Sequence, residues 1–393
     1  MFKKLSSIFL AFSISNASIY AITPKKTTEM TLDEKIGQMV CLDFRNWQNS
    51  KNSNSRVTKA TCEICDIIGK YHLGSVILFS ENFVSKEQLK KLISDLQKAS
   101  IDAKNPPLIV AVDQEGGLVE RFRFDRKERF KNNADIRSAE EAYKKGEAIA
   151  KELKEVGINC NLAPVADVNS NPYNPVIGVR SFSDKADVVA EYCRNFLNGL
   201  HSQNIMGTAK HFPGHGDTNV DSHFSLPVVN KTLKELEELE LVPFKALIDE
   251  GVDLIMTAHI QLPKVETGTV ISKKDDSKIN IPATLSRTVL TDLLRGKLEF
   301  DGVVVTDAMV MRAISDNFGI NEAVKMAIVA GADILCMPLR IRCQDDEQQL
   351  KSLFEYIKNA VENGEISEEQ INKSVERILK IKEKYLLFDD LKD

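Results

Sequence analysis

The sequence predicts a single (β/α)8 TIM barrel of the α/β class, and three observations carry that prediction. Eight short apolar runs rich in β-branched residues recur along the chain. Most are followed by a charged amphipathic stretch of helical length, and polar residues gather where the runs end.

The runs are residues 37–44, 74–79, 108–113 and 160–165 in the first half, then 207–211, 254–259, 303–307 and 334–338 in the second. Each is short and largely uninterrupted, as expected of strands buried on both faces. Between them, residues 86–99, 139–155, 188–201, 233–249 and 321–330 have the composition of helices that cover a sheet. An internal echo supports a repeated unit: Gly251-Val252-Asp253-Leu254-Ile255-Met256 and Gly331-Ala332-Asp333-Ile334-Leu335-Cys336 both read as a glycine that ends a helix before the next strand. An open doubly wound sheet is the alternative, and the lack of a glycine-rich phosphate loop after the first run counts against it. The run ends carry Asp113, Asp167, Lys210, His211, His259 and Asp307, which in a barrel is the catalytic face. Any one of these aspartates alone reads as a helix cap or loop-former.

With 28% charged residues and a net charge of -5, the chain has no basic block to track phosphates, so nucleic acid is not an expected partner. Residues 1–21 combine Lys3 and Lys4, an apolar run from Leu5 to Ile14 and small residues before Ala17 and Ala21. They read as a secretory leader, with a periplasmic or secreted location expected, or a cytoplasmic one if the leader is not real. No other run is long enough to span a bilayer. Seven cysteines are too few for a disulfide scaffold, and Cys41, Cys160 and Cys336 sit in apolar segments as core residues. Cys62-Glu63-Ile64-Cys65 is the only close pair, a local disulfide at most.

The chemistry concentrates between Lys210 and His223, where three of the six histidines and two aspartates lie among Pro213, Gly214 and Gly216. Such a segment is expected to be a shaped loop. Asp221 and His223 are two apart, and in an extended segment they point to the same side, so the carboxylate orients and charges the imidazole. That arrangement suits a proton shuttle near neutral pH.

The strings Val112-Asp113-Gln114-Glu115-Gly116-Gly117 with Arg121-Phe122, Gly178-Val179-Arg180-Ser181-Phe182, Lys210-His211-Phe212-Pro213-Gly214-His215-Gly216 with Asp221-Ser222-His223, and Thr306-Asp307-Ala308-Met309 together resemble glycoside hydrolase family 3, in its β-N-acetylglucosaminidase branch. The resemblance runs from about Thr31 to Leu387. It implies that Asp307 is the nucleophile, His223 the general acid/base and Asp221 its dyad partner. Asp113, Arg121, Arg180, Lys210 and His211 would bind the terminal sugar, with no cofactor and no metal. Residue chemistry agrees for the central trio, because a retaining glycosidase needs a carboxylate beneath the anomeric carbon and a proton donor beside the leaving oxygen.

The expected substrates are N-acetylglucosaminides and muropeptides, and the expected state is a monomer. A barrel over residues 22–393, without the additional C-terminal α/β domain of larger family members, is the expected organisation, closing with a helical region from Glu365 to Tyr385. The polar insertion at residues 264–278 has no assigned role. Within the family, β-glucosidase, xylosidase and phosphorylase activities are the alternatives, the last because a neutral imidazole does not repel phosphate as a second carboxylate would. Outside it stand a sugar-binding protein without catalysis and a metal-dependent hydrolase ligated by His211, His215, His223, Asp217, Asp221 or His259. Pro213 and Gly214 between His211 and His215 argue against the helical spacing that a zinc pair uses.

Overall fold

The computed structural model describes residues 25–48, 54–222 and 226–386, so the expected leader at residues 1–21 and the expected acid/base His223 lie outside the described residues. All eight expected strands are present: β1 (Val40–Asp43), β2 (Ser75–Leu78), β3 (Ile109–Val112), β4 (Cys160–Asn161), β5 (Met206–Phe212), β6 (Leu254–Thr257), β7 (Val303–Val305) and β8 (Leu335–Cys336). They pair in parallel in chain order, β8 pairs back to β1 through Val40 with Leu335 and Cys41 with Cys336, and a parallel bridge between Val305 and Ile334 closes the ring.

The strands are apolar throughout because both faces are covered. Val40, Val76, Val110 and Val304 are fully buried, as are Leu89, Ile149, Leu197 and Leu247 on the surrounding helices. Those helices begin where polar caps allow. Thr31 and Glu34 form a reciprocal capping box, and the Ser85 and Ser138 hydroxyls each accept the backbone N–H three residues on. The Gly-x-Asp echo is structural: Gly331 ends helix Ile320–Ala330 at φ 114°, and Gly251 takes φ 86° just after helix Leu241–Asp249.

Three expectations need correction. Gly37 and Gln38 end helix Leu32–Gln38 instead of starting β1. The stretch 233–249 is two helices, Leu233–Glu238 and Leu241–Asp249, broken at Leu239 because Pro243 lacks an N–H and its ring would clash with the carbonyl four residues back. Lys210 and His211, read both as the end of the run 207–211 and as the start of the loop, belong with Phe212 to β5, so the loop starts only at Pro213. The insertion at residues 264–278 contributes to a hairpin, Thr269–Ile271 with Lys278–Asn280, pinned where Ser272 Oγ donates to Asn317 Oδ1 at 2.7 Å. Among the described residues, no helix is long and apolar enough to cross a membrane.

Candidate active site

The parallel strands all end at one mouth, and the residues just beyond their ends set the chemistry. β3 delivers Asp113, and the hairpin that follows carries Glu115 and Arg121. Lys210, only 2% exposed on β5, donates to Asp113 Oδ1 at 2.8 Å and lies 2.7 Å from Glu115 Oε1. Arg121 Nη2 donates to Asp113 Oδ2 at 3.0 Å, and Arg180 grips Glu115 with two bonds of 2.8 Å. Three cations and two carboxylates thus interlock in a lattice buried at Lys210 and Glu115 and partly open at Arg121.

Burial opposes ionisation of Asp113, but Lys210 and Arg121 outweigh it and hold the carboxyl well below its ordinary range. Glu115 is treated alike, burial being outweighed by Arg180 and Lys210, and is lowered to about 2. Burial pulls the Lys210 pKa down, and Asp113 and Glu115 carry it above the ordinary lysine value. Asp113, Glu115 and Lys210 are therefore charged across the neutral range, facing the two guanidiniums. They offer fixed donors and acceptors that need no reorganisation on binding.

His211 leaves β5 with Nδ1 2.7 Å from Asp167 Oδ2, and Asp167 also accepts from the His211 and His215 backbone N–H groups. Asp167 thereby positions the imidazole. His215 sits deeper, with Nδ1 2.9 Å from Thr218 Oγ1 and Nε2 3.2 Å from Ser222 Oγ. Burial first, then the neighbouring His211, lowers His215 to about 4. It is neutral at pH 7 and unsuited to donate a proton there. Its bond to Ser222 ties down the loop one residue past Asp221.

Asp307 follows β7 and Thr306, its Oδ1 accepting the Ala308 N–H at 2.7 Å. The strand fixes its approach. Between it and the Asp113 lattice lies a cavity of about 410 Å3 that also reaches His211, His215 and Ser222. A larger hollow of about 710 Å3 lies on the outer wall, between helices Cys62–Lys70 and Lys86–Asp102, with no converging catalytic set. Among the described residues no group of three or more His, Cys, Asp or Glu is placed to hold a metal ion. The ring nitrogens of His259 face Thr284 Oγ1 and the Ala308 carbonyl.

The glycosyl hydrolase family 3 N-terminal domain matches residues 31–381. The chain belongs to glycosyl hydrolase family 3. The beta-hexosaminidase A of Pseudoalteromonas piscicida is 38% identical over 368 residues, which are 90% of this chain and 61% of that protein. The beta-hexosaminidase of Tolumonas auensis is 36% identical over 268 residues, 67% of this chain and 75% of its own length. The structure of a family 3 beta-N-acetylglucosaminidase from Paenibacillus sp. str. FPU-7 superposes with a TM-score of 0.80 at 38% identity, over 91% of this chain and 63% of that one. The chain thus spans less than two thirds of the first and third of these relatives.

Of the eight site residues expected from sequence, the fold brings Asp113, Arg121, Arg180, Lys210, His211 and Asp307 to one cavity. Asp221 sits beside it, next to Ser222, and His223 is not described. Glu115 was not among the expected site residues, although it stands in the Asp-Gln-Glu-Gly-Gly string. Two carboxylates spaced two apart, with basic residues expected opposite, were the available signal. Asp167 was visible as a strand-end carboxylate without a role. Arg45, Met337 and Arg340, which complete the cavity on the β1 and β8 side, gave no signal in sequence.

Proposed function

We propose that this family 3 chain is a retaining exo-β-N-acetylglucosaminidase that removes terminal β-linked N-acetylglucosamine, with peptidoglycan fragments as its natural substrates. One observation carries the reading: Asp307, fixed at a strand end, faces the charged lattice of Asp113, Lys210, Glu115, Arg121 and Arg180 across a sugar-sized cavity. The names of the relatives, beta-hexosaminidase and beta-N-acetylglucosaminidase, support the choice of sugar.

In this mechanism the lattice and His211 hold the hydroxyls of the terminal sugar. Asp307 attacks the anomeric carbon while His223, paired with Asp221, protonates the departing oxygen, giving a covalent glycosyl-Asp307. The neutral imidazole then takes a proton from the incoming water, whose oxygen displaces Asp307. Turnover of the 4-nitrophenyl β-glycosides of N-acetylglucosamine, glucose and xylose, with and without phosphate, tests sugar and acceptor together. The N-acetylglucosaminide turned over fastest, and without phosphate, is the expected result. Faster glucoside or xyloside cleavage, or dependence on phosphate, would replace the proposed activity.

Export belongs to the same proposal. Cleavage after Ala17 or Ala21 leaves a monomeric enzyme beginning at Ser18 or Ile22, checked by N-terminal sequencing of the native protein. Intact Met1 protein recovered from the cytosol would return the enzyme to intracellular recycling.

A further inference from the structure

On the β1 and β8 side the cavity is lined by two guanidiniums, Arg45 and Arg340, and the carboxylate behind them, Asp43, is already shared. Asp43, 1% exposed at the end of β1, accepts from Arg45 Nε and from Arg342 Nη2 on the same oxygen, Oδ2, both at 2.7 Å. Its other oxygen, Oδ1, has no hydrogen-bond partner among the described residues. A third guanidinium, Arg340, is exposed on the segment after β8, lines the same cavity as Asp307, and has no ion-pair or hydrogen-bond partner among the described residues. Arg45 and Arg342 therefore share the one carboxylate of Asp43, and Arg340 adds a third guanidinium that none of these bonds engages, in a chain whose net charge is -5.

Arg45 is also held rigidly. Its guanidinium carbon lies 3.4 Å from the centroid of the Phe79 ring, and its Nη2 is 3.7 Å from Met337 Sδ. A neutral sugar is satisfied by paired donors and acceptors such as those of the Asp113 lattice. Guanidinium groups beyond that need, one fixed and one unpartnered, are the arrangement that binds a carboxylate, sulfate or phosphate group.

Resting on the glycosidase reading, we propose that this wall is an anion subsite, in which Arg340 together with Arg45 binds an acidic group carried by the substrate. That group sits either on the terminal sugar or on the leaving portion, and the two sources are separable. The test compares wild type, Arg340→Gln and Arg340→Lys on three substrates: neutral 4-nitrophenyl N-acetyl-β-glucosaminide, its 6-O-sulfate, and the analogue with a carboxylate on the nitrophenyl ring. Arg340→Gln is expected to lower kcat/KM for one of the charged substrates about tenfold more than for the neutral one, the size of one charge-assisted hydrogen bond. Which substrate responds identifies the source. Arg340→Lys should recover part of the difference, and raising ionic strength should shrink it in wild type.

Equal loss on all three substrates would overturn the subsite and make Arg340 a general support for the ionised Asp307. Wild-type turnover of the neutral substrate with no response of either charged one to Arg340→Gln would overturn the subsite alone. No turnover of any substrate by wild type would instead remove the glycosidase reading, and the subsite with it.

Discussion

The two ends of the barrel use aspartate to opposite effect. At the N-terminal end, Asp253 accepts from Lys384 Nζ at 2.9 Å, Tyr385 Oη at 2.8 Å and the Gly207 N–H at 3.0 Å, and faces His201 Nε2 at 2.7 Å. Asp333 accepts from Arg295 at 2.5 Å, Arg377 at 3.2 Å and the Val304 N–H at 2.8 Å. Protein groups satisfy every oxygen, and the last helix, Glu368–Leu386, is clamped under the barrel. At the C-terminal end, the same kind of strand-end carboxylate borders a cavity. A strand-end aspartate thus acquires a chemical role only from the end at which it sits and from whether open space lies beside it.

The contrast is broken most severely at Asp307. Asp307→Ala or Asp307→Asn should lower kcat by several orders of magnitude on every substrate, with an unchanged melting temperature, because in the proposed mechanism no other group forms the covalent intermediate. A parallel loss of melting temperature would place Asp307 with the structural aspartates of the other end.

Next in size is His223, the proposed proton donor. His223→Ala should slow substrates with poor leaving groups far more than 4-nitrophenyl substrates, since only the former need a proton at departure. Azide should then speed the second step with activated substrates. Asp221→Ala should give a milder form of the same pattern, leaving the imidazole poorly oriented. Uniform slowing of all leaving groups in both variants would reduce His223 to a binding residue. His215, neutral and tied to Ser222, is a poor replacement.

At the other end the expected signs reverse. Asp333→Ala strands Arg295 and Arg377 beside an unpaired Val304 N–H, so stability should fall by about 3 to 5 kcal/mol while the folded fraction keeps its kcat. Denaturant unfolding alongside active-site titration checks this. A kcat that fell with stability would show that the two ends are not independent.

The smallest effect is a slope. His215 is lowered from 6.5 to about 4, so between those values the unfolded chain binds the proton that the folded chain refuses. Stability from this group is complete above pH 6.5 and is lost as pH falls toward 4. His215→Gln should flatten that part of the stability profile by up to about 3 kcal/mol, whatever it does to stability at pH 7. An unchanged slope would mean that another group titrates there.

The sequence made the barrel legible because buried parallel strands are nearly pure apolar runs, and Val303-Val304-Val305 or Leu254-Ile255-Met256 need no tertiary context to be recognised. It blurred the boundaries where one residue serves two elements. Gly37 is apolar enough to extend β1, yet it lies in the last turn of helix Leu32–Gln38, at a close approach that admits only glycine, since a Cβ there would meet the Tyr71 carbonyl oxygen at 2.1 Å. Pro243 was visible, and its consequence for a helix split at Leu239 was readable from its missing donor alone. In the site, residues within a specific string were found and residues brought in by the fold were not. Arg45 and Arg340 come from runs almost three hundred positions apart, meeting only because β8 pairs with β1. Glu115 was hidden differently, its task being to hold Lys210 and Arg180, which sequence spacing cannot express.

Whether Asp307 is the group that becomes glycosylated is decided by trapping. The enzyme is incubated with an activated 2-deoxy-2-fluoro or 5-fluoro glycoside, digested, and its peptides are mapped by mass spectrometry. One added sugar per chain is expected, on the peptide that contains Thr306-Asp307-Ala308, and no label in Asp307→Ala. A stable label on any other carboxylate, Asp113 or Glu115 included, would contradict it.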